Sequence, residues 1–123
     1  TLGIVPGFNG TQRLPKCIGM NKAKEILFTG KMLTAADALE LGILNHVTEP
    51  EQLMEEVYAM AGQIAGNSAS AISLVKAAVN AGADMDIDIG KNIELGYMAA
   101  CFGTPDQIEG FASFKEKRAA KFR

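Results

Sequence analysis

The sequence predicts a mainly α protein with one short strand at Ile43–Val47. Three observations lead there. Apolar residues recur at the spacing of one helix face, as in Leu53, Val57, Met60, Ala61 and Ile64. Helix-start signals stand before such stretches at Thr34, at Ser68 or Ser70, and at Thr104-Pro105-Asp106-Gln107, where a side-chain oxygen can accept the free N–H groups of a first turn. Glycine closes several of them, at Gly19, Gly30 and Gly42, because it reaches left-handed φ without a Cβ clash.

Taken in order, the chain opens with an apolar run that breaks at Pro6-Gly7, and Asn9-Gly10 gives a second turn. Both residues of that pair tolerate positive φ. Thr11 is placed to cap a short helix or 3₁₀ segment to Ile18. The glycines of this turn let the backbone approach another strand or a ligand closely, and the pattern alone leaves both open. Lys22 to Thr29 is the next helix, with Ala23, Ile26 and Leu27 on one side and Gly30 as its stop. Thr34 caps a third, with Asp37 three residues on, and Gly42 ends it. Ile43–Val47 is apolar, short and bounded by Gly42 and Pro50, which reads as a strand. Helices follow at Glu51 to Ala65, from Ser68 or Ser70 to Ala81, and at about 88–102. Ile72, Val75 and Val79 face inward on the second of these, and Ile89, Ile93, Leu95 and Met98 or Ala99 on the third. The last helix starts at the Thr104 cap, with Gln107 closing the box, and runs to about Arg118.

At 123 residues with 48% apolar content, the chain agrees with one domain or a piece of a larger soluble protein. The net charge of −2 argues against a nucleic-acid binder. No stretch reads as a signal peptide or a membrane span, and a cytoplasmic location is expected. Cys17 and Cys101 fit no metal spacing and read as reduced core thiols. Asp84, Asp86, Asp88 and Gly90 have some of the spacing of a calcium loop, but Ile89 and Leu95 stand where that loop needs glycine and glutamate. Acids at a helix start are the plainer reading, and no metal site is expected. Thr1 reads as the start of a truncated chain rather than as a nucleophile, since no supporting base is near it. His46, the only histidine, reads as a surface strand residue. The glycine turn lacks the Gly-Lys-Ser/Thr ending of a nucleotide loop. The cationic run Lys115, Lys117, Arg118, Lys121 and Arg123, opposed by Glu116, reads either as a solvated helix end that suits the dipole or as a phosphate contact.

Leu2-Gly3-Ile4-Val5-Pro6-Gly7-Phe8-Asn9-Gly10-Thr11-Gln12-Arg13-Leu14 resembles the signature loop of the crotonase family, the enoyl-CoA hydratases and isomerases. The likeness continues through Leu27-Phe28-Thr29-Gly30, through 35–45, and through Thr104-Pro105-Asp106 with 109–118. Asn9 departs from the family's usual glycine, but asparagine also reaches positive φ. The resemblance implies the C-terminal helical part of a crotonase-like α/β fold. In that reading 1–50 ends the crotonase core, and 51–123 is a helical region for oligomerisation and coenzyme A contact. It implies a hydratase acting on an enoyl-CoA in fatty-acid or short-chain acyl-CoA metabolism, or the reverse dehydration, with acyl-CoA as substrate and no further cofactor. It places Gly7 and Phe8 against the substrate, with the Gly7 backbone beside the thioester and the reacting water. Met98 falls where an aromatic residue often lines the acyl pocket. Lys117 falls where the terminal helix reaches the coenzyme A of a neighbouring subunit. A homo-oligomer, a trimer or a dimer of trimers, is expected. So is the absence of catalytic residues in this stretch: the family's first glutamate and oxyanion loops would lie before Thr1, and its second glutamate two residues before it. An assembly module, or part of an isomerase or acyl-CoA hydrolase, are the alternatives.

Overall fold

The computed structural model of the chain describes residues 2–122. It holds seven α-helices among those residues: α1 Gly10–Ile18, α2 Met20–Thr29, α3 Ala35–Glu40, α4 Leu53–Ala65, α5 Ala69–Gly82, α6 Ile87–Cys101 and α7 Pro105–Glu116. A 3₁₀ turn at Pro50–Gln52 leads into α4. The chain divides into two units, Thr1–Leu53 and Met54–Arg123.

In the first unit α1 packs on α2. Gly19, at φ 83°, serves both helices: its N–H bonds the Pro15 carbonyl at 2.9 Å and its carbonyl accepts from Ala23 N at 3.1 Å. Ala23 is fully buried there. Cys17 is exposed rather than a core thiol, and its thiol donates to the Gly42 carbonyl at 3.4 Å, which ties α1 to the turn after α3. The Thr34 cap forms as expected, as a complete capping box with Asp37.

Two expectations fail in this unit. Thr11 does not cap α1; the helix begins one residue earlier, behind Asn9 at φ 64°. The Asn9 carbonyl takes the N–H groups of Gln12 and Arg13 at 3.0 and 2.8 Å, and the Thr11 hydroxyl accepts from the Gln12 side chain instead. A main-chain turn at Asn-Gly therefore replaces the side-chain cap. The strand at Ile43–Val47 is also not found, and there is no strand among the described residues. A strand needs a neighbour to take its N–H and C=O groups. Here the N–H groups of Ile43 and Leu44 turn back to the Ala38 carbonyl at 2.8 and 3.1 Å, closing α3 over Gly42 at φ 74°. His46 is accordingly an exposed residue of an irregular segment, not of a strand.

In the second unit α5 packs against α6. They approach closely at Gly82 and Gly90, where a Cβ on Gly82 would lie 3.8 Å from Gly90 Cα, an ordinary van der Waals distance. Ser68 is the α5 cap: its hydroxyl accepts Ala71 N at 3.2 Å and donates to Asp106 of α7 at 2.7 Å. Thr104 caps α7 through Gln107 N at 3.2 Å, while the Gln107 side chain reaches Gly103 N rather than the cap residue. The apolar stripes lie on the helices as expected, but within the described residues they are uncovered: Val79 is 63% exposed and Leu95 62%. Ala23 is the only buried apolar residue among those described.

Candidate functional site

The glycine turn lies in the first unit. Gly3 and Asn9 take positive φ, and a Cβ on Gly10 would sit 3.2 Å from Pro6 Cβ. Gly10 therefore keeps the turn tight. Gly7 differs: it has no positive φ, and nothing lies within 4 Å of where its Cβ would be. Among the described residues no contact demands glycine there, so its bare backbone faces open space. The Phe8 ring beside it is 98% exposed.

Met98 lies in the second unit, on α6. It lines an apolar cavity of about 250 Å³ with Leu74, Val75 and Ala78 of α5 and with Tyr97. Its flexible thioether can fill a site of variable shape.

Lys117 ends α7 in a left-handed turn, φ 54°. Its N–H bonds the Phe114 carbonyl at 3.3 Å and Arg118 N bonds the Ser113 carbonyl at 3.0 Å, the paired bonds of a Schellman close. Lysine in this position carries the Cβ clash that glycine avoids. The helix therefore stops at Glu116, not at about Arg118 as the sequence suggests.

Past that turn the chain runs back along α7. Arg118 makes a forked pair with Glu109, Nη1 to Oε1 at 2.6 Å and Nη2 to Oε2 at 2.9 Å, and its Nε reaches Glu116 at 2.5 Å. Lys121 N donates to Glu109 Oε1 at 2.8 Å. The hydrogen bonds from Arg118, then the one from the Lys121 backbone, hold the Glu109 carboxyl at a pKa of about 2. The two carboxylates push the Arg118 guanidinium further above its usual range. The Phe122 ring lies over Gly110, where a Cβ would be 3.7 Å from Cε1. Phe122 also lines a cavity of about 480 Å³ with Phe111, Phe114, Cys101 and Ser68.

A family model described as enoyl-CoA hydratase/isomerase matches residues 1–123. The chain belongs to the enoyl-CoA hydratase/isomerase family. Among its relatives, the crotonyl-CoA hydratase of Syntrophomonas wolfei is 46% identical over 121 residues, 98% of this chain and 46% of that protein. The short-chain-enoyl-CoA hydratase of Clostridioides difficile is 47% identical over 115 residues, 94% of this chain and 74% of that protein. The crystal structure of enoyl-CoA hydratase from Bacillus anthracis superposes with a TM-score of 0.94 at 37% identity, over 98% of this chain and 47% of that one. Apart from the C. difficile protein, the chain spans about half the length of these relatives and structures.

Of the four residues singled out in this family member by resemblance, Gly7 and Phe8 are neighbours in the first unit. Met98 and Lys117 stand on separate elements of the second. Of the acids 84, 86 and 88, the last two act at a helix start: Asp86 Oδ1 caps α6 through Asp88 N at 3.0 Å, and Asp88 pairs with Lys91 at 3.0 Å. The Glu109–Arg118 fork is the feature that sequence reasoning missed. Read locally, the cationic run has only Glu116 to oppose it. Nine residues apart, Glu109 and Arg118 meet only because Lys117 reverses the chain, and lysine gives no local sign of that turn.

Proposed function

We propose that residues 1–123 form the C-terminal part of an enoyl-CoA hydratase that adds water across the double bond of a short-chain enoyl-CoA, or runs the reverse dehydration. The unbroken likeness to enzymes named for that reaction, over 98% of this chain in the S. wolfei hydratase, supports this reading. In such chemistry two glutamates act on water as general base and acid, and two backbone N–H groups stabilise the thioester enolate. Sequence outside residues 1–123 supplies those groups. Residues 1–50 end the catalytic core, with Gly7 and Phe8 at the thioester. The bare backbone at Gly7, which no neighbour among the described residues explains, is suited to that approach. Residues 51–123 form the helical region. There Met98 lines the acyl pocket, and Lys117 meets a coenzyme A phosphate across a subunit interface of a trimer or a dimer of trimers. The substrate is acyl-CoA without a further cofactor, and the enzyme works in the cytoplasm. None of the described helices is long and apolar enough to cross a membrane.

The uncovered helix faces support a second role in assembly. A chimera tests the main reading: residues 1–123 replace the matching segment of the S. wolfei crotonyl-CoA hydratase. It should hydrate crotonyl-CoA, whereas residues 1–123 alone should give no turnover above a heat-killed control. A folded chimera that only shifts double bonds or cleaves thioesters would point to the isomerase or hydrolase alternative. A folded chimera with no activity would leave the assembly role.

A further inference from the structure

We propose that Glu109 and Arg118 are positioning residues for the coenzyme A contact, folding 118–122 back along α7 so that Lys117 stands at the turn with its ammonium free. This rests on the reading in which Lys117 meets a coenzyme A phosphate.

Two independent observations converge on it. The first is charge. A lysine at a helix C-terminus has attractive partners close at hand, in the last carbonyls and in any acid of the final turns. On α7 those acids include Glu109 and Glu116, and Arg118 occupies both. A planar guanidinium fits a carboxylate in two parallel bonds, which an ammonium cannot do. Among the described residues no hydrogen bond or ion pair ties the Lys117 ammonium, and its side chain is exposed. Arg118 thus keeps the neighbouring acids from neutralising the cation that must reach outward.

The second is backbone geometry. Lysine holds φ 54° without the conformational freedom of glycine. Such a residue persists where its surroundings over-determine it. Here three fastenings lie just after it: the Arg118 fork, the Lys121 N–H on the same carboxylate, and the Phe122 ring over Gly110. One carboxylate, Glu109, takes part in two of the three. Its side chain is 24% exposed and that of Arg118 38%, so the pair is partly shielded from screening.

The test uses the full protein. Calorimetric titration with coenzyme A at low salt should show Lys117→Ala binding roughly fivefold more weakly, about 1 kcal/mol. Glu109→Gln keeps the shape and removes the charge. It should weaken binding by a similar factor and speed tryptic cleavage after Arg118, with far-UV dichroism and oligomeric state unchanged. The double variant should bind no more weakly than Lys117→Ala alone, because the carboxylate acts through the lysine. A purely structural role would make the two losses add. If Lys117→Ala weakens binding and Glu109→Gln does not, or if the losses add, the proposal is overturned while the phosphate reading stands. If Lys117→Ala binds like the unaltered protein, the phosphate reading itself is wrong and the proposal falls with it. Should Glu109→Gln not fold, Phe122→Ala loosens the tail without touching charge. It supports the proposal if its loss vanishes in the Lys117→Ala background, and overturns it if the loss persists or is absent.

Discussion

Lys117 occupies a conformation that glycine would fill with less strain. Lys117→Gly should therefore stabilise the fold by about 1 kcal/mol, the lower end of the left-handed cost for residues with a Cβ. The same change should weaken coenzyme A binding in the full protein. A denaturant midpoint that falls in Lys117→Gly would show that the side chain holds the turn, against this account. Asn9 makes the opposite case. Its positive φ was legible, because Asn-Gly is a pair in which both residues accept that region. Lysine has no such local preference, so its turn is set by the packing of residues 118–122 on α7.

Glu109 carries a pH prediction. Arg118 holds its folded pKa at about 2, against an ordinary 4.5. A carboxylate with a depressed folded pKa binds fewer protons in the folded state than in the unfolded one between those two values. Its contribution is thus complete above about pH 4.5 and is lost as pH falls from there toward 2. Between pH 6 and 8, on the order of ordinary assay conditions, the tail should not respond. Carboxyl carbon NMR should give Glu109 a midpoint well below that of the other glutamates. A midpoint in the ordinary range would mean that the fork is open in solution.

Among the elements, those with strong end signals were the ones legible in advance. The Thr34–Asp37 box, the Ser68 cap, the Thr104-Pro105 start and the Gly19 and Gly30 stops all stand where the residue types point. The start of α1 was missed, because a main-chain turn and a side-chain cap compete for the same N–H groups and the sequence offers both. The strand expected at Ile43–Val47 does not form, for a different reason: pairing is a property of two segments, and composition describes one. Ser68→Ala should cost about 1–2 kcal/mol, because Ala71 N loses its cap partner and α5 loses its link to Asp106. Ser70→Ala, which removes only a hydroxyl–hydroxyl contact of 2.9 Å, should cost less. Equal thermal shifts for the two would argue that neither the Ala71 cap nor the Ser68–Asp106 bond contributes.

For the whole molecule, the apolar stripes of α4, α5 and α6 are a statement about what surrounds them. Leu53, Val75 and Leu95 are each half exposed or more. Faces of that kind favour association. Residues 1–123 alone should therefore self-associate or show the fluctuating packing of a partly molten state. Sedimentation as a sharp monomer together with well-dispersed amide NMR signals would contradict this. The same fact explains why the site was only partly legible. Family likeness singled out Gly7, Phe8, Met98 and Lys117, but no short-range pattern in these residues makes them converge. Gly7 and Phe8 lie in one unit, Met98 and Lys117 in the other.

The ring of Phe122 over Gly110 has a use in time-resolved work. Residues 1–123 contain no tryptophan, so Phe122→Trp would place the one indole of this stretch at the point where the tail meets α7. The cavity of about 480 Å³ beside that ring leaves room for the larger side chain. Its emission would change as the ring passes from apolar cover to water. Stopped-flow mixing with coenzyme A would then give the lifetime of the docked tail, and comparison with turnover would show whether ligand departure waits for the tail to lift.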